Sequence, residues 1–244
     1  MMPVYRRRLA LCLCLPIIMA GCSRSKTEHS GVVVAEEALR NGSPVLALQI
    51  AQNILAKSPD DVPALLIRGD ASMQLGKSYD AEAAFLLALR LQPGSARGQM
   101  GLGRLRLATD ATEAAALFQD AVRQEPRNLI ALNNLGIARD LLGQHRQAQE
   151  SYRGVRAIDP GNAPAQVNLA LSLAMSGQAA EALALIAPLA NEPASSVKVR
   201  HDYAAVLALA GREDEAETIL GRDLPPREIR TFINALREHR NHAP

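Results

Sequence analysis

A periodic pattern of glycine, alanine and proline runs through the sequence from about residue 31 onward. Five glycines lie 34, 67, 34 and 34 residues apart, and an alanine follows each of them five residues later. The longer interval hides a sixth unit, with Ala114 at the alanine position and "ATDATEA" in place of the glycine turn. A period of 33–34 residues kept over six units predicts stacked structural repeats. The paired positions are Gly42, Gly76, Gly143, Gly177 and Gly211, with Ala47, Ala81, Ala148, Ala182 and Ala216.

One unit, "ALNNLGIARDLLGQHRQAQESYRGVRAIDP" at residues 131–160, indicates what each repeat folds into. Two helical patterns are separated by Gly143, which can adopt the positive φ that ends a helix. Pro160 prevents the second helix from continuing. Ala148 on the second helix is small enough to let the two helices approach closely. Because such a hairpin cannot bury its apolar face alone, it must stack on its neighbours.

The composition agrees with a helical fold. Hydrophobic residues make up 48% of the chain but aromatic residues only 3%, and there is no tryptophan. Small and straight-chain residues favour helices, whereas aromatic and β-branched residues favour strands. The sequence therefore predicts an all-α chain with about six helix–turn–helix units over residues 31–226, and a capping helix with a tail over residues 227–244.

The motif within one unit resembles the tetratricopeptide repeat. Leu135 and Gly136 lie on the first helix, Ala148 and Tyr152 lie four residues apart on the second, and Pro160 closes the unit. This resemblance implies a superhelical solenoid whose first helices line a concave face, which binds an extended peptide or a partner helix. The other matching positions are Gly69, Ala81, Phe85, Ala88 and Pro93 in one unit, and Ala114, Phe118 and Pro126 in another.

Polar side chains on the predicted first helices are the candidate peptide-binding residues. Asn134 and Asn168 differ by one repeat period, and Lys198, His201 and Asp202 come from the last unit. Paired amides in successive repeats could hold a peptide backbone or a terminal carboxylate by hydrogen bonds. A mixed polar lining is also typical of a groove that is merely solvated, so both interpretations stay open.

The N-terminal segment is predicted to be a lipoprotein signal peptide over residues 1–21. Three arginines precede an apolar stretch of roughly twelve residues, which is shorter than the ~20 residues that a membrane span needs. The sequence Ala-Gly-Cys ending at Cys22 resembles a bacterial lipobox, in which the cysteine receives a lipid and becomes the new N-terminus. The alternative is an ordinary secretory signal that happens to contain a cysteine.

The residues around the lipobox extend this prediction. Cys12 and Cys14 lie within the signal, so Cys22 would be the single cysteine of the mature chain and no intrachain disulfide is expected. The polar residues that follow predict a flexible tether over 22–30. Ser23 follows the predicted lipidated cysteine, at the position where an aspartate would favour retention in the inner membrane. By this rule for lipoproteins, the absence of aspartate implies that the chain is anchored in the outer membrane and faces the periplasm.

Charge and motifs argue against several other functions. The formal net charge is +2, and the three arginines near the N-terminus contribute more than all of this excess. The rest of the chain therefore carries no positive excess, and nucleic-acid binding is not expected. His239 and His242 could share a helix face, but two ligands do not complete a zinc site. The sequence contains no phosphate loop, no Gly-x-Ser-x-Gly and no His-Glu-x-x-His. We therefore expect no enzyme activity, no cofactor and no metal.

Several short runs near the C-terminus form a combined pattern: Val199-Arg200, the run Ala-Val-Leu-Ala-Leu-Ala-Gly-Arg ending at Arg212, Glu215-Ala216-Glu217, Asp223-Leu224-Pro225-Pro226, Asn234 and Leu236. This pattern resembles the TadD-type lipoproteins of the tight-adherence (Flp) pilus assembly system. That resemblance implies an outer-membrane scaffold or pilotin whose partner is a secretin or another pilus assembly component.

Two functional hypotheses remain open from the sequence. In the first, the lipid on Cys22 holds the solenoid at the membrane while its groove binds a component of the pilus secretin. In the second, the same groove binds and regulates an envelope enzyme such as a peptidoglycan synthase. Both are non-enzymatic and both require a protein partner.

Overall fold

Thirteen α-helices make up the part of the chain that the computed structural model describes, residues 24–242. Twelve helices form six consecutive hairpins, repeats 1–6, in which we call the first helix A and the second helix B. The thirteenth helix follows repeat 6. The helices are α1 (Arg24–Arg40), α2 (Pro44–Leu55), α3 (Val62–Gln74), α4 (Ser78–Leu91), α5 (Ala96–Arg106), α6 (Ala111–Gln124), α7 (Leu129–Leu141), α8 (His145–Ile158), α9 (Ala163–Met175), α10 (Ala179–Ala190), α11 (Val197–Leu209), α12 (Glu213–Leu220) and α13 (Pro226–His242).

The hairpins stack in chain order into a solenoid. Each A helix packs against the B helix of its own repeat and against the B helix of the preceding repeat. A helices of neighbouring repeats also touch: α1 contacts α3, α3 contacts α5, α7 contacts α9, and α9 contacts α11. The A helices therefore lie side by side along one face. The predicted all-α solenoid of six units is confirmed.

Local sequence signals set the ends of the helices. In five repeats a glycine with φ of 69–80° separates helix A from helix B, as the periodic glycines predict. Repeat 3 lacks this glycine, and the side chain of Asp110 instead caps α6 by accepting a hydrogen bond from the backbone N–H of Glu113 (2.9 Å). Side chains also cap the A helices from α3 to α11; these residues are Asp61, Ser95, Asn128, Asn162 and Ser196.

Aromatic rings on the B helices fill the space between the two helices of a repeat. Tyr152 and Phe85 are fully buried, and each ring lies against a glycine of its own A helix, Gly136 and Gly69 respectively. A Cβ atom added at Gly136 would lie 2.4 Å from Cε1 of Tyr152. The Phe85 ring is also covered from the next repeat by Gly101, where an added Cβ would again lie 2.4 Å from the ring. Each ring thus requires the backbone of the A helix to approach without a side chain.

The first helix begins earlier than the sequence predicts. The polar segment 22–30 is predicted to be a flexible tether, yet α1 begins at Arg24. This segment contains no proline or glycine, and its arginine, lysine and glutamate are good helix formers, so α1 continues toward the N-terminus. The tether prediction is therefore wrong for residues 24–30. Cys22 and the predicted signal peptide over 1–21 lie outside the described residues.

Helix α13 closes the C-terminal end of the solenoid. Ile229 and Ile233 are buried against the helices of repeat 6. Glu213 on α12 forms ion pairs with Arg237 and Arg240. The hydrogen bond from Arg237, helped by Arg240, lowers the pKa of the Glu213 carboxyl to about 2, so this group stays ionised at neutral pH. The last helix is a packed cap and not a loose tail.

Among residues 24–242, no helix combines the length and the apolar character that crossing a membrane requires.

The close approach at Gly136 gives a first prediction. Gly136→Ala should lower the free energy of unfolding by about 1–3 kcal/mol, because the new methyl group overlaps the Tyr152 ring. Gly154→Ala is the matched control, since it lies inside α8 of the same repeat and its added Cβ would be 3.8 Å from the nearest side-chain atom, on Leu132. That control should be neutral or stabilising by up to about 1 kcal/mol. Urea unfolding followed by circular dichroism measures the stability of both variants. Equal midpoint concentrations of urea would contradict the close contact between Gly136 and the Tyr152 ring.

Candidate peptide-binding groove

The side-by-side A helices form a groove along one face of the solenoid. Its walls differ in chemistry along the length of the molecule. In repeats 1–3, it is lined mainly by charged side chains around a cavity of about 610 Å³. In repeats 4 and 5, it is lined mainly by apolar side chains around a smaller cavity of about 200 Å³. We refer to these as the charged half and the apolar half.

An ion-pair network crosses the charged half and joins three A helices. Arg97 on α5 donates from Nε to Oδ2 of Asp70 on α3 (2.9 Å) and from Nη1 to Oε1 of Glu36 on α1 (2.8 Å). Arg104, two helical turns after Arg97 on α5, donates from Nη2 to Oδ1 of Asp70 (3.0 Å). The Asp70 side chain is 15% exposed, so its charge is partly desolvated and depends on these partners. The network fixes the spacing of the first three A helices.

The apolar half presents a shallow hydrophobic surface between α7 and α9. Ile137 and Leu141 contribute from α7, and Leu171 and Met175 from α9. Leu141 is 60% exposed, which is unusual for a leucine beside a well-packed core. An apolar side chain from a partner would remove this surface from water, which stabilises a complex by about 25 cal/mol for each Å² buried.

A buried polar cluster lies beneath the apolar half. Both oxygens of Asp140 are engaged: Oδ2 accepts from the Tyr152 hydroxyl (2.9 Å), and Oδ1 accepts from the Ser172 hydroxyl (2.7 Å). His145 Nδ1 also lies 2.8 Å from Oδ1. Burial, together with the neighbouring charge of Asp140, raises the pKa of the Tyr152 hydroxyl far above its usual range, so it remains a proton donor. Because Ser172 belongs to repeat 5 and the others to repeat 4, the cluster ties two repeats together.

The predicted amide pair does not form as the repeat period suggests. Asn168 lines the cavity of the apolar half, and its Nδ2 donates to Oδ1 of Asn133 (2.9 Å). The partner of Asn168 is thus Asn133, one residue before Asn134. A role for Asn134 and Asn168 in holding a peptide stays a prediction.

The three predicted residues of repeat 6 have partners within the chain. Lys198 Nζ donates to Oδ2 of Asp202 (2.7 Å), one helical turn away. His201 Nε2 lies 3.4 Å from Oδ2 of Asp223, which also accepts two hydrogen bonds from Arg200. These contacts link α11 to the segment that precedes α13. A peptide-binding role for Lys198, His201 and Asp202 also stays a prediction.

Sequence reasoning missed the charged half because its members are far apart along the chain. Arg97 lies 27 residues from Asp70 and 61 residues from Glu36. Glu36, Asp70 and Arg104, by contrast, lie 34 residues apart in turn, at the same position of successive repeats. The available signal was this spacing of one repeat period between charged residues on successive A helices.

Among side chains 31–241, no three or more histidine, cysteine, aspartate or glutamate residues are placed to hold a metal ion. His239 is in this range, whereas the side chain of His242 lies outside it.

The Asp140 cluster gives a second prediction. Asp140→Ala should cost about 1–3 kcal/mol for each of the two buried hydroxyls that lose their acceptor, those of Tyr152 and Ser172. Asp120→Ala is the matched control, because Asp120 pairs with Arg123 on the exposed side of α6. Its cost should stay within about 0.5 kcal/mol. Thermal unfolding measures the stability of both variants. Similar losses of stability in the two would show that the cluster does not stabilise the junction between repeats 4 and 5.

Comparisons with known proteins agree with this architecture. One tetratricopeptide-repeat family profile matches residues 35–96 and 103–163, which is just over half of the chain, and a second matches residues 141–196. An uncharacterized protein of Sinorhizobium fredii, y4yS, is 26% identical over 176 residues, covering 71% of this chain and 87% of that protein.

Solved structures share the fold over nearly the whole solenoid. PilW, described as a widely conserved type IV pilus biogenesis factor, has a TM-score of 0.72 and 22% identity, with 84% of this chain and 98% of PilW covered. PilF of Pseudomonas aeruginosa has a TM-score of 0.71 and 15% identity, with 87% and 98% covered. At these identities the likeness establishes the fold alone. The chain belongs to the tetratricopeptide-repeat family, whose repeats bind protein partners.

Proposed function

We propose that this chain is a non-enzymatic outer-membrane lipoprotein that acts as a scaffold or pilotin in pilus assembly. In this proposal its groove binds a segment of a secretin or of another component of a tight-adherence (Flp) pilus system. The observation that carries the proposal is the groove itself, which offers an exposed apolar surface beside a row of charged side chains. The shared fold with PilW and PilF supports a role in pilus biogenesis.

The groove is suited to holding a partner because its walls are fixed before binding. The charged half is cross-linked by Arg97 and Asp70, and the apolar half is anchored from below by Asp140. A preorganised surface loses little conformational entropy when a partner binds, so more of the contact energy is available for affinity.

The proposed lipid anchor would place the solenoid close to the bilayer. Only one residue separates Cys22 from α1, which begins at Arg24. A lipid on Cys22 would therefore hold repeat 1 near the membrane surface and leave the later repeats to extend from it. The groove would then present its charged half nearest the membrane and its apolar half further away.

Lipid attachment gives a third prediction. Cys22→Ser should move the protein from the membrane fraction to the soluble fraction without changing its helical circular dichroism spectrum. The physical reason is that each buried CH₂ of a lipid chain contributes about 0.8 kcal/mol, so several chains make release negligible. Ultracentrifugation of envelope fractions measures the shift. If Cys22→Ser still sediments wholly with membranes, the lipoprotein assignment is wrong.

Blocking the groove gives a fourth prediction. Leu141→Arg places a charge on the exposed apolar surface and should abolish co-purification of the partner from envelopes. Leu86→Arg is the matched control, because Leu86 is also an exposed leucine but lies on α4, a B helix. Loss of a secretin or pilus component with Leu141→Arg alone supports the proposal. Specific loss of a cell-wall synthase would favour the regulator hypothesis instead. Equal recovery of the partner with both variants would show that the groove is not the binding site.

A further inference from the structure

Two valines on α1 occupy positions that are covered in a later repeat. Val33 and Val34 lie two repeat periods, 68 residues, before Gly101 and Leu102 on α5. Gly101 and Leu102 are buried against Phe85, which belongs to the B helix of the preceding repeat. Because α1 is the first helix of the described chain, no described B helix covers its two valines, which are 50% and 51% exposed. They therefore mark the N-terminal end of the stack.

A third exposed aliphatic residue, Leu46, also faces away from the rest of the stack. Glu82 on α4 pairs with Arg106 on α5, so this position of a B helix faces the following repeat. The equivalent residue of α2, 34 residues earlier, is Leu48. Successive residues of an α-helix are about 100° apart, so Leu46 points roughly 200° away from Leu48. Leu46 is therefore directed away from repeat 2, and it is 48% exposed.

We call Val33, Val34 and Leu46 the N-terminal face. The opposite end of the solenoid differs, since none of the large apolar residues that are exposed in the described chain lies on α13. The outer side of α13 carries polar residues such as Arg230 and Asn234. A terminal repeat needs a polar outer side to remain soluble when nothing covers it. An apolar face at one end only indicates that this end is covered where the protein works.

The position of the N-terminal face in the chain indicates what covers it. One residue separates Cys22 from α1, which begins at Arg24. A lipid on Cys22 would hold the first turn of α1 at a bilayer, and such tethering gives a nearby surface a high effective concentration. Val33 and Val34 lie about 15 Å along α1 from its first residue. They reach the bilayer if α1 lies along its surface.

The charges at the border of this face are balanced. Glu37 follows Val33 and Val34 by one helical turn, and its carboxylate forms an ion pair with Arg40 on the same helix. Helices that bind membranes by electrostatic attraction instead carry an excess of lysine and arginine. The N-terminal face therefore fits the headgroup region of a bilayer through apolar contact, and it does not require anionic lipids.

We propose that the N-terminal face lies on the bilayer that holds the lipid of Cys22, with α1 along the membrane surface and its aliphatic side chains between the lipid headgroups. Three side chains bury too little area to hold the protein there, so the lipid anchors the chain and the face sets its orientation. Repeats 2–6 then project away from the membrane. This inference rests on the proposed function, since it requires the lipid on Cys22.

Single tryptophan substitutions in the lipidated protein test this contact, because the sequence contains no tryptophan. Val33→Trp and Leu46→Trp each place one probe on the N-terminal face. Leu86→Trp is the matched control, since Leu86 is 44% exposed but lies on α4. Each variant is reconstituted into phosphatidylcholine vesicles with or without bromine atoms high on the acyl chains. Interfacial side chains reach about 5–10 Å into the bilayer, so bromine should quench the first two probes and not the control.

A second substitution separates the face from the lipid anchor. In the Val33→Trp protein, adding Val34→Asp should abolish quenching and shift the emission to longer wavelength, because transfer of a carboxylate out of water is unfavourable. The protein should still sediment with the vesicles, since the lipid carries the attachment. Adding Ala83→Asp is the matched control, because Ala83 is exposed on α4, and it should leave the quenching unchanged.

The outcomes distinguish this inference from the function on which it rests. Quenching of Val33→Trp and Leu46→Trp, but not of Leu86→Trp, that Val34→Asp abolishes supports the inference. If all three variants sediment with vesicles and none is quenched, the inference is wrong and the lipid anchor is unaffected. Unquenched, short-wavelength emission from Val33→Trp that is lost on dilution would assign the face to a second copy of the chain and also overturn the inference. Failure of the wild-type protein to sediment with vesicles would overturn both the inference and the lipoprotein proposal.

Discussion

The architecture depends on one packing constraint, the close approach of the two helices in each repeat. An aromatic ring such as Tyr152 or Phe85 can be fully buried only where the opposite helix has a glycine, because a Cβ atom there would overlap the ring. Large rings bury much apolar area at a small cost in conformational entropy. The glycine–ring contact therefore fixes the angle and distance within the hairpins of repeats 2, 3 and 4. In repeats 1, 5 and 6 the buried side chains of Ala51, Ile186 and Leu220 take the place of the ring.

The groove is a consequence of this stacking. Since α1, α3 and α5 contact one another in order, and α7, α9 and α11 do likewise, their outward faces form one surface in each half of the solenoid. Partly buried carboxylates then hold that surface together, Asp70 across repeats 1–3 and Asp140 across repeats 4 and 5. Both carboxylates have all their oxygens hydrogen-bonded, which is what makes a desolvated charge tolerable. The same groups thus rigidify the solenoid and set the polarity of the groove.

A scaffold of this kind derives its specificity from the order of chemistries along its length. Electrostatic contacts in the charged half would speed the encounter and select the sign of the partner's charge, whereas burial of apolar area would supply most of the affinity. The cap formed by α13 prevents repeat 6 from exposing its core, as a terminal repeat requires. The solenoid is therefore closed at its C-terminal end, and its groove remains the extended surface available to a partner.

The sequence by itself determined the repeat, its period, the all-α class and the turn glycines, because these depend on local conformational preference and on regular spacing. It also singled out Gly136 and Tyr152 as positions of a family motif, whereas their contact is seen only in the structure. Only the tertiary structure decided that Asn168 pairs with Asn133 and not Asn134, and that Arg97 joins residues of two other repeats. These two contacts depend on how neighbouring hairpins pack, because Asn133 and Arg97 do not lie one repeat period from the residues they bind.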